Sequence, residues 1–374
     1  VTAERRAGPS ASYLNPFALE NVEVARGPGS VAYGSDAFGG VVHAKTPMPT
    51  PGDFSGRYSF SAGTGGSPEA AGGASVNVPV GTGAVALSLY QRRQGDYESP
   101  LGTQDDSAGR DRGFVVRALA PAGNVRLWAG FQLDQVRDMG KPQADLPTTR
   151  TSYPKEDSSR FTLGADAADL LGFSSVEMRA FYGGYELVTN RQRVPAPGTT
   201  LRNSLADVDA NDYSVRLLGR RTLGPAGIRV GLDANGRTGL EALNVVEDFD
   251  AAGHPTKSTV EIAVEDARRT DFGAFLEADA PLVADRLALT AGVRGDRVTT
   301  RNTGGHFGDR STSGSVGEDL RSLFGNILNR GSRSRAPAPA SSAERLYLET
   351  LDHARRSGLT REPAGHAVDH QARQ

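Results

Sequence analysis

The chain has no cysteine, a single tryptophan, 7% aromatic residues and 37% hydrophobic residues. Without cysteine, thiol catalysis, disulfide scaffolds and thiolate metal sites are excluded. The low apolar share argues against the large core that 374 residues ordinarily bury. No charge of one sign dominates: 42 basic against 44 acidic residues leave a formal net charge of −2, with no dense basic stripe, so nucleic acid is not an expected partner. No run of about eighteen apolar residues occurs, so no membrane-spanning helix is expected. Val1 opens on "TAERRAGPS", without a charged start and apolar stretch, so no signal peptide is expected within this sequence.

Enzyme motifs are also missing. "GTGG" at Gly63 fails the dinucleotide pattern because Pro68 stands where a third glycine belongs, and "GK" at Gly140 runs into Pro142 with no glycine-rich loop before it. No Gly-x-Ser-x-Gly elbow is present. "DVDAND" at Asp207 imitates the start of a calcium loop, but Asp212 replaces its turn glycine and Leu218 its closing glutamate, and the segment reads as a solvated loop end. Asp248 and Asp250 in "EDFDAAGH", the pair Asp105 and Asp106, and the lone His254 and His306 read as loop polarity before they read as metal or haem ligands. The chain is expected to be no enzyme, with no cofactor and no catalytic metal.

What is abundant is glycine, 46 residues of it, set among segments that alternate apolar and polar side chains. Val85, Leu87 and Leu89 alternate with small residues, and Val125, Leu127, Ala129, Phe131 and Leu133 alternate with Arg126, Trp128, Gly130, Gln132 and Asp134. Period two places successive side chains on opposite faces of a sheet. The same grammar recurs in "NDYSVRLLGRR", "AGIRVGLDANGR", "TDFGAFLEADA" and "DRLALTAGVRGDR". Short turns at Pro79, Ala120, Asp169, Leu223 and Pro281 alternate with long polar connections starting at Gly95, Arg137, Arg191 and Glu241. That rhythm puts tight turns at one end of an antiparallel meander and long loops at the other, as in outer-membrane barrels. About eleven strands are expected between Gly56 and Thr300, an odd number that leaves an up-and-down barrel incomplete.

Near Gly317 the period changes. Leu320, Leu323, Phe324, Ile327 and Leu328 fall on one helical face, and Ser341 with Glu344 forms a capping box ahead of Gly358, so a helical and disordered tail is expected over 317–374. This tail does not continue the strand grammar, and a frame change near Gly317 would account for it.

At the other end, "NVEVARGPGSVAYGSDAFGGVVHAK" reads as strand, tight turns, strand. It resembles the end of the plug domain of TonB-dependent outer-membrane receptors, whose pattern maps here to Glu23, Arg26, Gly27, Pro28, Ser30, Tyr33, Gly34, Ala37, Gly39, Gly40, Val41 and Val42. His43 departs from the asparagine usual after the glycine pair. The resemblance implies an all-β chain: residues 1–50 the C-terminal part of a plug, residues 51–316 a partial antiparallel up-and-down transmembrane β-barrel. It further implies a receptor in the cell outer membrane that takes up a scarce nutrient complex of the ferric-siderophore, haem or cobalamin class. Outer-membrane lipid, the TonB complex and a small metal-chelate ligand would be its partners. The TonB-contacting segment and the second half of the barrel are expected to lie outside this sequence. Glu23 and Arg26 would pair with charges of the barrel lumen, the motif glycines would allow close plug packing and gating, Leu87, Leu127 and Val230 would face lipid, and Arg126, Arg216 and Arg229 would face the lumen. Two other readings fit the alternation: a soluble sandwich or propeller that binds carbohydrate through its loops, and a truncated product without function.

Overall fold

Alternating β-branched and aromatic residues need a pleated sheet that buries one side chain in two, and one sheet dominates the computed structural model of this chain. The structure describes residues 16–26, 30–33, 40–65, 67–100, 102–142, 148–195, 199–283, 287–305 and 310–315. Two units divide the chain, Val1–Ser315 and Val316–Gln374; the second lies outside the described residues, and with it the helices expected around Leu320 and Ser341.

A 3-10 turn at Pro16–Ala18 leads into β1 (Asn21–Arg26), the single helical turn α1 (Ser30–Tyr33) and β2 (Gly40–Lys45), which pairs antiparallel with β1. The main sheet follows: β3 (Ser55–Thr64), β4 (Pro68–Val80), β5 (Gly83–Gln94), β8 (Gly109–Ala122), β9 (Val125–Gly140), β10 (Thr149–Leu170), β11 (Phe173–Arg193), β12 (Arg202–Leu223), β13 (Ala226–Phe249), β14 (Pro255–Val283), β15 (Leu287–Asn302) and β16 (Arg310–Ser315). A two-rung ladder of β6 (Glu98–Ser99) and β7 (Gly102–Thr103) sits in the connection before β8. Each main strand pairs antiparallel with its sequence neighbours, giving a twelve-stranded up-and-down sheet whose edges are β3 and β16. The expected eleven strands are all present up to Asn302, and β16 adds one more. No second sheet covers this one among the described residues, which removes the sandwich reading.

Turns are tight at one end. Residues 81–82, 123–124, 171–172 and 224–225 each close a hairpin with a glycine at positive φ, as two-residue turns demand. Connections at the other end are shorter than expected, because strand pairing invades them: β10 starts at Thr149, β12 at Arg202, and β13 with β14 leaves just 250–254 unpaired. These extensions mix polar and apolar residues, with Tyr153, Leu187 and Val208 buried and Leu243, Val260 and Ile262 exposed, so period two blurs there while the backbone ladder persists.

Register carries a common face across the sheet. Arg179 on β11 stands opposite Arg216 on β12, then Asp233 on β13, Gly273 on β14 and Asp296 on β15. This inner face bears the N-terminal segment. Phe17 lies against Gly73 on β4 while Val31 lies against Gly292 on β15. A flat sheet would hold those strands about 40 Å apart at ~4.8 Å per strand, so the sheet curls around the segment. The inner face buries Ala84, Ala86, Ser88, Tyr90, Asp134 and Val136. The opposite, outer face exposes Leu89, Leu127, Phe131, Phe161, Leu163, Val215, Leu217, Leu232, Phe272, Leu276 and Val293, a continuous apolar belt. Polar inside and apolar outside inverts the pattern of a soluble core.

Candidate functional site

Strands β1 and β2 coincide with the "NVEVAR" and "GVVHAK" halves of the glycine-rich motif. Gly40 sits at φ +142°, where a side chain would collide with the carbonyl oxygen of Ala25 on the partner strand. That close approach lets the hairpin close at its glycine end. Gly27, Pro28, Gly34, Ala37 and Gly39 lie outside the described residues, and Ser30 and Tyr33 form the ends of α1. Glu23 pairs with Lys45 of the same hairpin, where a lumen charge was the expected partner. The register explains the difference: Glu23 stands opposite His43, which makes Lys45 its diagonal neighbour. This pair holds the Glu23 carboxyl below the usual carboxylate range, with the Lys45 hydrogen bond as the main cause. Arg26 is exposed and makes no ion pair with a described residue.

The wall grips this segment through its backbone. Arg57 Nη2 donates to the Leu19 carbonyl at 2.8 Å, Arg117 Nη1 to the Thr46 carbonyl at 3.0 Å, Arg216 Nη2 to the Ala32 carbonyl at 3.0 Å and Arg294 Nη1 to the Val31 carbonyl at 3.4 Å. Asn77 adds a two-way clasp: its Nδ2 donates to the Thr50 carbonyl at 2.8 Å, and its Oδ1 accepts from the Thr50 amide at 2.9 Å. A guanidinium offers several N–H donors in one plane, so Arg294 reaches the segment with one arm while others hold the wall carboxylates Asp233 and Asp296. Arg126 and Arg229 share the inner face with Arg216 but reach wall partners, Asp166 at 3.8 Å and Glu277 respectively. Arg57, Asn77, Arg117 and Arg294 went unnoticed in the sequence because their acceptors are main-chain carbonyls, which leave no trace in residue identity. Their one signal is an arginine or asparagine on the polar side of a period-two segment.

Between hairpin and wall is a cavity of about 770 Å³ lined by Glu23, His43, Lys45, Arg117, Arg179 and Trp128, with Arg216 beside them. Trp128 lies between two cations, the Arg117 guanidinium 5.6 Å and the Arg179 guanidinium 5.3 Å from its ring centre. Arg117 Nε, Trp128 Nε1 and Thr46 Oγ1 are buried without a hydrogen-bond partner among the described residues. The cavity can therefore hold a polar, acceptor-bearing guest; it offers no nucleophile activated by a base.

The lesser motifs are otherwise engaged. Asp207 lies within strand β12, not at a loop end, and Asp212 binds Arg237 at 2.6 Å. Asp248 holds Arg202 at 2.6 Å, and Asp250 caps its own turn by accepting the His254 amide at 2.8 Å. Arg150 approaches Asp105 and Asp106 at 3.9 and 3.5 Å. His306 lies outside the described residues.

The family model described as "TonB dependent receptor-like, beta-barrel" matches residues 80–347, and that of the "TonB-dependent Receptor Plug Domain" matches residues 2–41. A stretch of 46 residues is 46% identical to the vitamin B12 transporter BtuB of Vibrio vulnificus (strain YJ016), covering 12% of this chain and 8% of that protein. Among solved structures, the copper transporter OprC superposes with a TM-score of 0.64 at 18% identity, over 81% of this chain and 47% of that one. The siderophore receptor PiuA from Acinetobacter baumannii gives 0.59 at 13% identity, over 80% and 50%. The ferric citrate transporter FecA in its unliganded form gives 0.55 at 18% identity, over 80% and 46%. The chain thus spans about half the length of the solved structures that it resembles. With the barrel model matching most of the chain and the plug model matching its start, the chain belongs to the TonB-dependent receptor family.

Proposed function

We propose that this chain is part of an outer-membrane receptor that takes up a scarce nutrient complex of the ferric-siderophore, haem or cobalamin class, with energy supplied by TonB. The observation that carries the reading is the grip of the inner face on the N-terminal segment through main-chain carbonyls. Arginine-to-carbonyl bonds, each worth about 1.5 to 3 kcal/mol, hold a plug in place and still break one at a time under a pull. The exposed apolar belt supports placement in lipid, and the family's barrel proteins reside in the outer membrane. Among the motif positions with described backbone, Glu23, Arg26, Ser30, Tyr33 and Gly40 would pack and gate the plug. Arg126, Arg216 and Arg229 would line the lumen. Ligand would pass the cavity beside Trp128, whose unpartnered donors suit a chelate that presents carboxylate or phosphate oxygens.

The single tryptophan gives a direct test. The chain, inserted in outer-membrane vesicles, is titrated with ferric citrate, haemin and cyanocobalamin while Trp128 emission is followed. Saturable quenching by one of the three at low micromolar concentration is expected, and its loss in Arg179→Ala. Linear quenching by all three alike would overturn the reading.

A further inference from the structure

Strand β14 outlasts its neighbour. From Pro255 to Asp279 it pairs with β13, but β15 joins it at Arg268, and one isolated bridge, Glu265 to Gly304, extends that contact. Gly305 lies against the carbonyl oxygens of Ile262 and Ala263. The connection that returns from Asn302 to its partner Arg310 holds seven residues, too few to climb far beyond Ile262 and come back. Among the described residues, 255–262 therefore pair on one side alone, and all eight are exposed. Every second residue of such an edge turns its N–H and C=O away from β13. The usual protections of an edge are sparse: over 255–262 the sole proline is Pro255, at the strand's start, and the sole lysine is Lys257. This step belongs to β13, β14 and β15 and does not depend on where the sheet ends at β16.

The outer face beside this edge is apolar at one level and acidic on either side of it. Val260 stands opposite Val245 and Ile262 opposite Leu243, with Val260 64% and Ile262 52% exposed. Nearer the belt, Glu186, Asp209 and Glu241 stand in one cross-strand row, each directly opposite the next. Lys155 takes Glu186. Asp207, Asp209, Glu241 and Glu265 have no cationic partner among the described residues, and they line a recess of about 380 Å³ together with Leu243 and Ile262. Carboxylates directly opposite one another destabilise a sheet, and cations from outside the chain would relieve them. Among the described residues no three acidic groups converge closely enough to hold a metal ion, so side-chain cations spread along a strand fit the row better than one ion. On the other side of the apolar pair, Glu247, also without a cation, stands opposite Ser258. A lysine or arginine beyond Ser258 needs to cross one strand to reach Glu247, the span that Arg294 covers over Gly273 to Asp233.

We propose that residues 255–262 of β14 are a docking edge for an extended cationic peptide segment presented from the cell exterior, which the long-connection end of an outer-membrane barrel faces. The segment pairs antiparallel with β14 as one more strand, sets β-branched side chains opposite Val260 and Ile262, and carries a lysine or arginine opposite Ser258 that reaches Glu247. Main-chain hydrogen bonds supply the affinity of such an added strand and its alternate side chains the selectivity. Charge complementarity with Glu247 and with the acidic recess selects this occupant. A second copy of this chain in the same membrane fits poorly, because its β14 runs the same way and brings carboxylates to carboxylates. The site rests on the geometry of the sheet and is independent of what the receptor transports.

The test uses the full chain in maltoside micelles and the probe peptide Val-Lys-Val-Thr-Arg-Thr, capped at both ends and labelled with fluorescein, with binding read by anisotropy. Saturable binding to the parent chain is expected, together with new protection from hydrogen exchange at alternate amides of residues 256–262. Two N-methylated forms, modified at the odd or at the even positions, separate backbone pairing from charge. The form whose methyl groups point at β14 should bind at least about tenfold more weakly, and the other within a few-fold of the unmodified probe. A probe with glutamate in place of its lysine and arginine should not bind. Glu247→Gln should weaken binding about five-fold and unfold no earlier than the parent, since this carboxylate has no cation to lose. Equal binding by both methylated forms, binding of the glutamate probe, or undiminished binding by Glu247→Gln would each overturn the proposal. So would alternate amides of 256–262 that are already protected before the probe is added, the sign of an edge covered by a second copy or by another segment of this chain.

Discussion

Arg294 on β15 reaches over β14 to Asp233 on β13, making hydrogen bonds of 2.7 and 2.8 Å to its two carboxylate oxygens. The strand between them contributes Gly273, opposite Asp233 on one side and Asp296 on the other. A side chain at Gly273 would occupy the place of the Arg294 guanidinium. Tyr90 uses the same device at Gly113, crossing β8 to reach Asp134 on β9. Gly273 and Gly113 thus serve as slots through which long polar side chains span three strands. Both Arg294 and Asp233 are buried, and breaking such a pair costs about 3 to 5 kcal/mol. Gly273→Ala, which displaces the guanidinium without deleting it, is expected at the lower end, about 3 kcal/mol. Gly295, on the outer face of β15 with nothing within 4 Å of its missing side chain, should accept alanine within about 0.5 kcal/mol. Denaturant unfolding in micelles, followed by heat-modifiable gel migration, compares the two; equal losses would refute the slot.

Depth along the strands sets a second expectation. Phe131 lies mid-belt, opposite Val116 and Phe161, whereas Leu127 is the third residue of β9, next to the tight turn at 123–124. Arginine on the lipid face costs about 2 to 4 kcal/mol at the midplane and about 0 to 1 near the interface. Phe131→Arg should therefore impair refolding into bilayers by the larger amount and Leu127→Arg by the smaller. A reversed order would place the belt elsewhere on the strands.

The fold was legible because a sheet with one wet and one greasy face writes period two into its sequence, as at Val125 to Asp134. Strand pairing beyond the belt was not legible: from Thr149 to Ser159 the buried positions are Thr151, Tyr153, Glu156 and Ser158, three of them polar, and the register shifts between Ser152 and Lys155, so no apolar alternation marks the strand. The hairpin of β1 and β2 was readable to the residue from its glycines. Its anchors were not, since Leu19, Val31, Ala32 and Thr46 accept through carbonyls that any residue carries. Nor was the Arg294 crossing, which joins residues 61 positions apart through a third strand.

Arg117 couples the plug segment to the tryptophan. It donates to the Thr46 carbonyl and lies over the Trp128 ring. Arg117→Met keeps the length of the stem and removes the donors, so the segment loses the bond to the Thr46 carbonyl, worth about 1.5 to 3 kcal/mol, together with the weaker contacts to the Pro47 carbonyl at 3.5 Å and the Met48 sulfur at 3.2 Å. Trp128 emission should shift to the red as water enters the cavity, and cleavage after Arg26 by trypsin should quicken. An unchanged spectrum with unchanged cleavage would show that the contact does not hold the segment.

The turn between β13 and β14 gives a pH signature. Asp250 accepts backbone hydrogen bonds from His254 and Ala252, and the His254 ring approaches its other oxygen at 3.3 Å. The His254 amide is the main reason that its carboxyl is held below the usual carboxylate range. A carboxyl depressed in the folded state contributes its stability above the ordinary value of about 3.9 and loses it as pH falls through the depressed one. The His254 amide should therefore be protected from hydrogen exchange at pH 5 and become exposed progressively below about pH 4. Asp250→Asn should show the weaker protection at every pH, with its acid dependence gone, because an amide oxygen accepts the same bonds without titrating. Protection in the parent chain that persists unchanged to pH 2 would mean that the carboxylate charge does not hold this turn.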